Sequence, residues 1–374
     1  MRIVHLRRKT RSAGRRLREA RMFAKAMKFS RHPVLAQIIP TRRCNLDCAY
    51  CNEYDDYSGP VETAEMLKRI DKLAALGTSI ITASGGEPLL HPGLPKIILR
   101  IRQHGIIATV ITNGYPLTRK MIRNLNQAGL DYLQISIDNL NPDSASRKSL
   151  NVLGQRLQWL AEEAEFQVTL NAVLGASVGN PGDALLIAKR ARELDFTATV
   201  GILHDHGGQL QPLDDKERAV YEDILRMGSP VFSFAQYERF QKNLVRGLPN
   251  KWHCRAGCRY LYVCENGLVH RCSQQRGTPG IPLDSYSQRD LDQEYQAFKT
   301  CSEFCTISCV HQTAMLDSFR EDPVGVLTQM IEGKRELDPS FNPPRSVRLL
   351  TRLFLTGKNR KLFGRIALRL LNIR

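Results

Sequence analysis

The 374-residue sequence predicts an α/β fold built on a parallel sheet, with a smaller cysteine-rich region behind it. From residue 33 to about 205, short β-branched runs alternate with amphipathic segments, and repeated βα units of this kind form parallel sheets. Seven of the ten cysteines then fall between residues 254 and 309. The six βα units suit either a partial barrel or an open doubly wound sheet, and periodicity does not choose between them.

The candidate strands are the six β-branched runs, at 34–41, 79–84, 106–112, 132–138, 166–173 and 197–203. Helix-like stretches, such as 62–77 and 182–195, lie between them. In βα barrels the catalytic groups gather at the carboxyl ends of the strands. Polar residues follow nearly every one of these ends, which a purely structural repeat would not require.

The positive charge is concentrated at the two ends of the chain. The formal net charge is +17 and the isoelectric point is about 9.6. Residues 1–31 carry twelve Lys and Arg against one acid, and residues 345–374 carry nine and no acid. The body between them holds 33 basic and 36 acidic residues. A nucleic-acid surface spread over the body is therefore not expected.

Three cysteines stand close together at Cys44, Cys48 and Cys51, in the spacing C-x3-C-x2-C. A structural zinc site needs four ligands, so either a fourth comes from elsewhere or one position is left open. A disulfide framework is typical of short secreted chains, which this chain is not. The loop follows an apolar run, and Tyr50 precedes the third cysteine where it could pack against a cofactor. Both details favour iron–sulfur over zinc.

This stretch resembles the signature of the radical S-adenosylmethionine (radical SAM) superfamily, C-x3-C-x2-aromatic-C. The resemblance implies that the three thiolates hold a [4Fe–4S] cluster and that its open fourth iron binds S-adenosylmethionine. It also implies a partial (β/α)6 TIM-like barrel over residues 32–245. A one-electron donor of the flavodoxin or ferredoxin type follows as the implied partner.

The resemblance extends to the strand ends. The segment Gly85, Gly86, Glu87 and Pro88 is similar to the family segment that binds the amino group of S-adenosylmethionine, although a GGEP sequence can also be a plain turn. The other cofactor-binding residues that it implies are Tyr50, Asn113, Ser136, Asp138 and Asn171, for which the alternative is a strand-end cap. Arg147 and Lys148 could meet the methionine carboxylate, but a solvated helix face is preferred for them. His204 and His206 are expected on a substrate-facing polar rim.

The second cysteine group resembles the SPASM or twitch auxiliary-cluster domain, over residues 250–315. Cys254, Gly267 and Cys272 fit its C-x12-G-x4-C pattern, with a glycine turn between two short strands. Its second half departs from the pattern, so one auxiliary [4Fe–4S] cluster is expected rather than two, with structural zinc as the alternative. The candidate ligands are Cys254, Cys272, Cys301, Cys305 and Cys309, followed by Cys258 and Cys264. The spacing of Cys301, Cys305 and Cys309 could place them on one helical face.

The basic ends are predicted to be helical tails. Residues 345–374 read as an amphipathic helix with a basic flank, which can lie on an anionic membrane surface or dock on protein. Residues 1–31 read as a basic arm, with a transit peptide as the alternative. No apolar run reaches 18 residues, and a cytoplasmic protein, peripheral to the membrane if the tail binds there, is expected.

The sequence therefore predicts a radical SAM enzyme. Reductive cleavage of S-adenosylmethionine would give a 5′-deoxyadenosyl radical, which would abstract hydrogen from a peptide, a protein side chain or a lipid. One rival is a non-catalytic iron–sulfur or zinc protein that carries electrons or acts as a scaffold. A second is a nucleic-acid-modifying enzyme that uses its basic tails as arms. No oligomeric state is predicted.

Overall fold

The computed structural model describes residues 2–175, 179–203, 210–227, 238–337 and 339–343. The predicted C-terminal helix over 345–374 and the predicted rim residues His204 and His206 lie outside these ranges.

Six βα repeats form the first part of the chain after an N-terminal helix. The strands are β1 (Leu35–Thr41), β2 (Ile80–Gly85), β3 (Ile107–Thr112), β4 (Tyr132–Ser136), β5 (Gln167–Gly175) and β6 (Thr197–Leu203). The helices are α1 (Arg2–Lys28), α2 (Thr63–Ala75), α3 (Leu94–Gln103), α4 (Arg119–Ala128), α5 (Leu150–Glu163), α6 (Gly182–Glu193), α7 (Asp215–Arg226) and α8 (Glu238–Val245). Every predicted strand is present within two residues of its predicted bounds.

The cysteine-rich region continues the same sheet. Its strands are β7 (Tyr260–Val263), β8 (Leu268–His270) and β9 (Pro279–Pro282), followed by α9 (Gln288–Gln296), α10 (Ser308–Glu321) and α11 (Pro323–Leu337). The strand order is β6-β5-β4-β3-β2-β1-β7-β8-β9, with β7 parallel to β1 and β8 and β9 antiparallel. The six barrel strands lie in sequence order, without the reversal of a doubly wound sheet, and the described sheet does not close on itself, so the predicted partial barrel is confirmed.

Side-chain alternation gives the sheet two different faces. The outward face of the strands is apolar and packs beneath the helices in one core cluster, for example through Leu133, Ile135, Val168 and Leu170. A parallel sheet covered by helices is expected to bury this face completely. The alternate residues point to the concave inner side, where many are only half-buried. The covered face therefore stabilises the fold and the inner face is left for binding.

The N-terminal segment is a docked helix rather than a free basic arm. In α1, Met22 and Ala26 are buried in the second core cluster with residues at the starts of the strands. Arg18 pairs with the buried Asp131, and the Arg11 Nε lies 2.6 Å from the Glu165 Oε2. Part of the basic charge of this end is therefore neutralised inside the molecule.

Buried Arg259 joins α1 to the cysteine-rich region. Its side chain is 0% exposed and donates to the Phe29 carbonyl at 2.9 Å and to the Ala26 carbonyl at 3.1 Å, at the end of α1. Its Nη2 also lies 3.1 Å from the Asp317 Oδ1 on α10. A guanidinium suits this position because it presents several donors in fixed directions.

The prediction that Cys301, Cys305 and Cys309 share one helical face is wrong. Cys301 lies in a short 3₁₀ turn over Thr300–Ser302, Cys305 lies in the following loop, and Cys309 is the second residue of α10. No continuous helix carries all three cysteines, so their i, i+4 spacing does not place them on one helical face. Among the described residues, no helix is long and apolar enough to cross a membrane.

Candidate radical SAM and auxiliary cysteine sites

The loop after β1 brings Cys44, Cys48 and Cys51 together at the carboxyl edge of the sheet. The Leu46 N–H lies 3.4 Å from the Cys44 Sγ, and the Cys51 N–H donates to the Cys48 carbonyl at 3.0 Å. Burial, followed by the charges of Glu87 and Cys51, raises the pKa of Cys44 to about 11. Thiols held neutral in this way are expected to ionise when a metal supplies the missing positive charge.

Other side chains also reach two of these sulfurs. The Asn113 Nδ2, after β3, lies 3.6 Å from the Cys44 Sγ and donates to the Asn45 Oδ1 at 2.9 Å. The Ser146 Oγ lies 3.5 Å from the Cys48 Sγ. A donor near sulfur stabilises a thiolate, so three cysteines with the Asn113 amide beside one of them fit an iron–sulfur cluster.

Glu87 links the ends of β2 and β3. Its side chain is 0% exposed, and its Oε1 accepts from the Leu89 N–H at 2.9 Å and from the Thr112 hydroxyl at 2.7 Å. Its Oε2 accepts from the Asn113 N–H at 2.7 Å, and burial raises its pKa to about 7. Both oxygens therefore already have partners within the chain, and Glu87 positions Asn113 beside Cys44.

The two glycines before Glu87 allow the cysteine loop to approach β2. A Cβ on Gly86 would lie 2.1 Å from the Arg42 carbonyl oxygen, which no side chain tolerates. Gly85 has φ of +111°, in the region that favours glycine. Pro88 is buried and begins a 3₁₀ turn behind them. These glycines therefore allow a close approach to the backbone of the cysteine loop.

A polar network behind the loop contains Ser146 and Lys148, two residues that the sequence argument did not place in the site. The Asp138 Oδ2 accepts from Tyr50 and, at 2.6 Å, from the Ser146 hydroxyl. The Lys148 Nζ donates to the Tyr50 hydroxyl at 2.8 Å and lies 3.7 Å from the Asp138 Oδ2. The Lys148 side chain is 18% exposed, so the preferred solvated face is wrong for it. Nothing in the sequence spacing distinguishes it from Arg147, whose side chain is 66% exposed.

Asp138 retains one oxygen for a ligand. Its Oδ1 is buried and has no hydrogen-bond partner within the described part of the chain. A buried carboxylate oxygen of this kind needs a donor, because leaving it unpaired costs free energy. A ligand hydroxyl would meet this need, in line with the cofactor-binding role that the family resemblance implied for Asp138.

The inner face beside this site is uncharged and mostly polar. The register pairs Gln134 with Thr169 and Ser136 with Asn171, all of them half-buried on the concave side. The Thr199 hydroxyl donates to the Asn171 Oδ1 at 2.8 Å. Such a wall offers hydrogen bonds to a neutral polar ligand, although half-buried Ile111 lies on the same face beside Gln134.

Four of the seven C-terminal cysteines lie within electrostatic range of one another. Burial, followed by the charges of Cys254 and Cys301, raises the pKa of Cys272 to about 12. Burial raises the pKa of Cys305 well above its usual range, and the charges of Cys254, Cys272 and Cys301 raise it further. These four thiols are therefore near enough to influence one another's ionisation.

Hydrogen bonds between distant segments assemble this group. The Trp252 Nε1 donates to the Ser302 carbonyl at 2.8 Å, and the Asn250 N–H donates to the Glu303 carbonyl at 2.9 Å. The first bond places Cys254 beside the turn that carries Cys301. On the other side, Arg271 forms a two-bond pair with Glu294, at 2.7 and 3.1 Å, next to Cys272.

The remaining three cysteines are placed in two ways. Cys264 and Cys309 lie in the same hydrophobic cluster as Cys254 and Cys272, and burial raises the pKa of Cys309 to about 11. Cys258 packs instead in the core cluster under the barrel helices. Cys264 lies at the β7–β8 turn, where its N–H donates to the Leu268 carbonyl at 3.0 Å. In the described residues, no three His, Cys, Asp or Glu side chains are placed to hold a single metal ion.

Comparison with known proteins identifies the first part of the chain. Residues 38–207 match the model of the radical SAM superfamily, and this segment contains the three-cysteine loop. This segment is a radical SAM domain. The cofactors of the radical SAM superfamily are a [4Fe–4S] cluster and S-adenosylmethionine, as the resemblance of the three-cysteine loop implied.

Several curated proteins resemble the chain over part of their length. It is 30% identical over 264 residues to the PqqA peptide cyclase of Methylorubrum populi, covering 64% of this chain and 66% of that protein. It is 29% identical over 230 residues to the GTP 3′,8-cyclase of Chlorobaculum tepidum, covering 59% and 64%. It is 36% identical over 103 residues to the Fe-coproporphyrin III synthase of Methanosarcina barkeri, covering 27% and 26%. The chain thus spans about a quarter to two thirds of the length of these relatives, all of them named as enzymes.

A solved structure supports the fold. Streptococcus suis SuiB bound to S-adenosylmethionine superposes with a TM-score of 0.53 at 15% identity, over 71% of this chain and 66% of that one. At this identity the likeness concerns the fold alone.

Proposed function

We propose that this chain is a radical SAM enzyme that abstracts hydrogen from a peptide substrate. The observation that carries the proposal is the three-thiol loop at the carboxyl edge of the sheet, together with the amide that Asn113 directs at the Cys44 sulfur. A rival electron carrier or scaffold would need the thiols but not the unpaired Asp138 oxygen beside them.

The chain's own residues would hold and shield the cofactors. Cys44, Cys48 and Cys51 are the cluster ligands in this proposal. When bound, the cluster and S-adenosylmethionine supply a 5′-deoxyadenosyl radical through one-electron cleavage of the sulfonium. Asp138 accepts a hydrogen bond from the ligand at its free oxygen, and buried Leu46 and Cys48 help to exclude water from the loop.

The cluster assignment is tested by changing Cys44, Cys48 and Cys51 together to alanine. The variant should lose about four irons per chain after anaerobic reconstitution and should form no 5′-deoxyadenosine from dithionite and S-adenosylmethionine. Wild-type protein that holds the cluster but also forms no 5′-deoxyadenosine would favour the non-catalytic rival.

A second [4Fe–4S] cluster, on Cys254, Cys272, Cys301 and Cys305, completes the proposal. Its support is the mutual electrostatic influence of these four thiols and the hydrogen bonds that join their segments. Four thiolates satisfy such a cluster with no open iron, in contrast to the first group. Cys309, Cys258 and Cys264 are left out of this ligand set. Zinc bound at a ratio of one per chain, with no labile sulfide, would contradict the assignment.

A peptide is preferred as substrate over a lipid for two reasons. The relatives include a protein named as a peptide cyclase, and SuiB has also been solved bound to its precursor peptide SuiA, at a TM-score of 0.50. The polar, uncharged inner face around Gln134, Thr169 and Thr199 suits amide groups. A flavodoxin or ferredoxin is the proposed electron donor.

The substrate class is tested by isotope transfer. Cells that produce the protein are grown in deuterated medium, and their peptide and lipid fractions are offered separately with reductant and S-adenosylmethionine. Hydrogen abstraction should place deuterium in 5′-deoxyadenosine with the peptide fraction, as mass spectrometry would show. Deuterium from the lipid fraction alone would contradict the peptide proposal and would direct attention to residues 345–374 as a membrane-binding segment.

A further inference from the structure

A largely buried cation, Lys148, lies close to the three-cysteine loop. The Lys148 Nζ donates to the Tyr50 hydroxyl at 2.8 Å and lies 5.0 Å from the centre of the Tyr50 ring. Tyr50 stands between Cys48 and Cys51 in the chain. The ammonium group also pairs with Asp138 at 3.7 Å, and these contacts fix its position.

A short polar path also connects the backbone of Lys148 to Cys48. The Lys148 backbone N–H donates to the Ser146 Oγ at 3.2 Å, and the same oxygen lies 3.5 Å from the Cys48 Sγ. Lys148 is therefore joined to the cysteine loop twice, at its ammonium group through Tyr50 and at its backbone through Ser146.

A cluster held by three thiolates becomes more negative when it accepts an electron. A fixed positive charge nearby stabilises the reduced form, and the effect is large where water is excluded. A fixed negative charge has the opposite effect. Lys148 and Asp138 thus influence the cluster with opposite signs, although they belong to one ion pair.

We propose that Lys148 is a positioning residue whose fixed charge raises the reduction potential of the cluster on Cys44, Cys48 and Cys51, and that Asp138 opposes it. The proposal rests on the proposed function, since it requires that these cysteines hold the cluster. It assigns Lys148 a role before S-adenosylmethionine binds.

The test is a redox titration of the reconstituted full-length protein, followed by electron paramagnetic resonance without S-adenosylmethionine. The signal that changes when S-adenosylmethionine is added identifies the cluster with the open iron. Lys148→Met removes the charge and keeps the length of the side chain. Arg147→Gln is the matched control, because it removes the same charge from the neighbouring residue, which is exposed and pairs with Asp47 at 3.5 Å. Lys148→Arg restores the charge.

Lys148→Met should shift the reduction equilibrium against the reduced form by tenfold or more, which is 59 mV for a one-electron couple. Asp138→Asn should shift it in the opposite direction, and Arg147→Gln and Lys148→Arg should stay near the wild-type value. A Lys148→Met potential equal to that of the wild type would overturn the proposal.

If Lys148→Met does not retain iron, the redox titration of Asp138→Asn tests the proposal instead. A reduction potential in Asp138→Asn equal to that of the wild type would also overturn the proposal. Wild-type protein with no signal that responds to S-adenosylmethionine would instead mean that the proposed function itself has failed.

Discussion

The two cysteine groups of this molecule are built in different ways. Cys44, Cys48 and Cys51 come from one loop of eight residues, directly after β1. Cys254, Cys272, Cys301 and Cys305 come from separate segments that hydrogen bonds hold together. Three thiols of the second group are buried or half-buried, while Cys301 is exposed.

The two cysteine groups therefore depend on long-range packing to different extents. The first group needs only a strand end and a turn, and the ends of β2, β3 and β4 on one side of it add Glu87, Asn113 and Asp138. The second group exists only if the β7–β8 hairpin, the 3₁₀ turn and the loop before α10 reach their final places. Its thiols therefore depend on long-range packing, and contacts far from the sulfurs should affect it.

The largest expected effect separates ligands from core cysteines within the second group. Cys272→Ala should remove about four irons per chain while leaving the iron held by Cys44, Cys48 and Cys51. The matched control is Cys258→Ala, since Cys258 is equally buried but packs in the core beneath the barrel helices. Iron and labile sulfide analysis after anaerobic reconstitution measures both.

Equal iron content in the Cys272→Ala and wild-type proteins would contradict the second cluster, because it would mean that the four-thiol group holds no iron. Loss of iron in Cys258→Ala without loss of helical signal in circular dichroism would move the ligand set to other cysteines.

The same contrast explains what sequence reasoning could achieve. The six strands of the barrel and the hairpin after Cys258 were predicted, because β-branched runs and turn residues act locally. The three-cysteine loop was predicted from its spacing. Its link to Glu87 and Asp138 was predicted only through family resemblance, since strand ends carry no signal of which neighbours they will meet.

Long-range placement was the part that sequence could not supply. Spacing suggested one helical face for Cys301, Cys305 and Cys309, but the chain forms a turn and a loop there. Composition suggested a basic arm, but α1 docks through Arg18 and Arg11 on buried acids. Composition counts charges without showing their partners, so a paired arginine and a solvated one look the same.

A second test concerns the junction between α1 and the cysteine-rich region. Arg259→Met keeps most of the side-chain volume but leaves Asp317 and the end of α1 without their buried donor. The free energy of unfolding should fall by about 3 to 5 kcal/mol, as is typical when one partner of a buried ion pair is removed. Denaturant unfolding followed by circular dichroism measures this.

Arg119→Met is the control for that measurement, because Arg119 is an exposed partner of Glu162 and Glu163. Its removal should cost no more than about 1 kcal/mol. If both variants lose the same small amount, the junction does not stabilise the cysteine-rich region in the way that the contacts suggest.

The smallest effect is the pH dependence of the same junction. His32 is buried 3.3 Å from the Arg259 guanidinium, and burial, followed by that charge, lowers its pKa to about 3. At pH values below 6.5, the ordinary pKa of histidine, His32 therefore binds a proton in the unfolded chain but stays neutral in the folded chain. The free energy of unfolding should fall as pH decreases through this range, by about 1.4 kcal/mol per pH unit from this group. His32→Gln should flatten that slope between pH 6.5 and 5. An identical slope in the wild-type and His32→Gln proteins would show that His32 can be charged beside Arg259 without disturbing the junction.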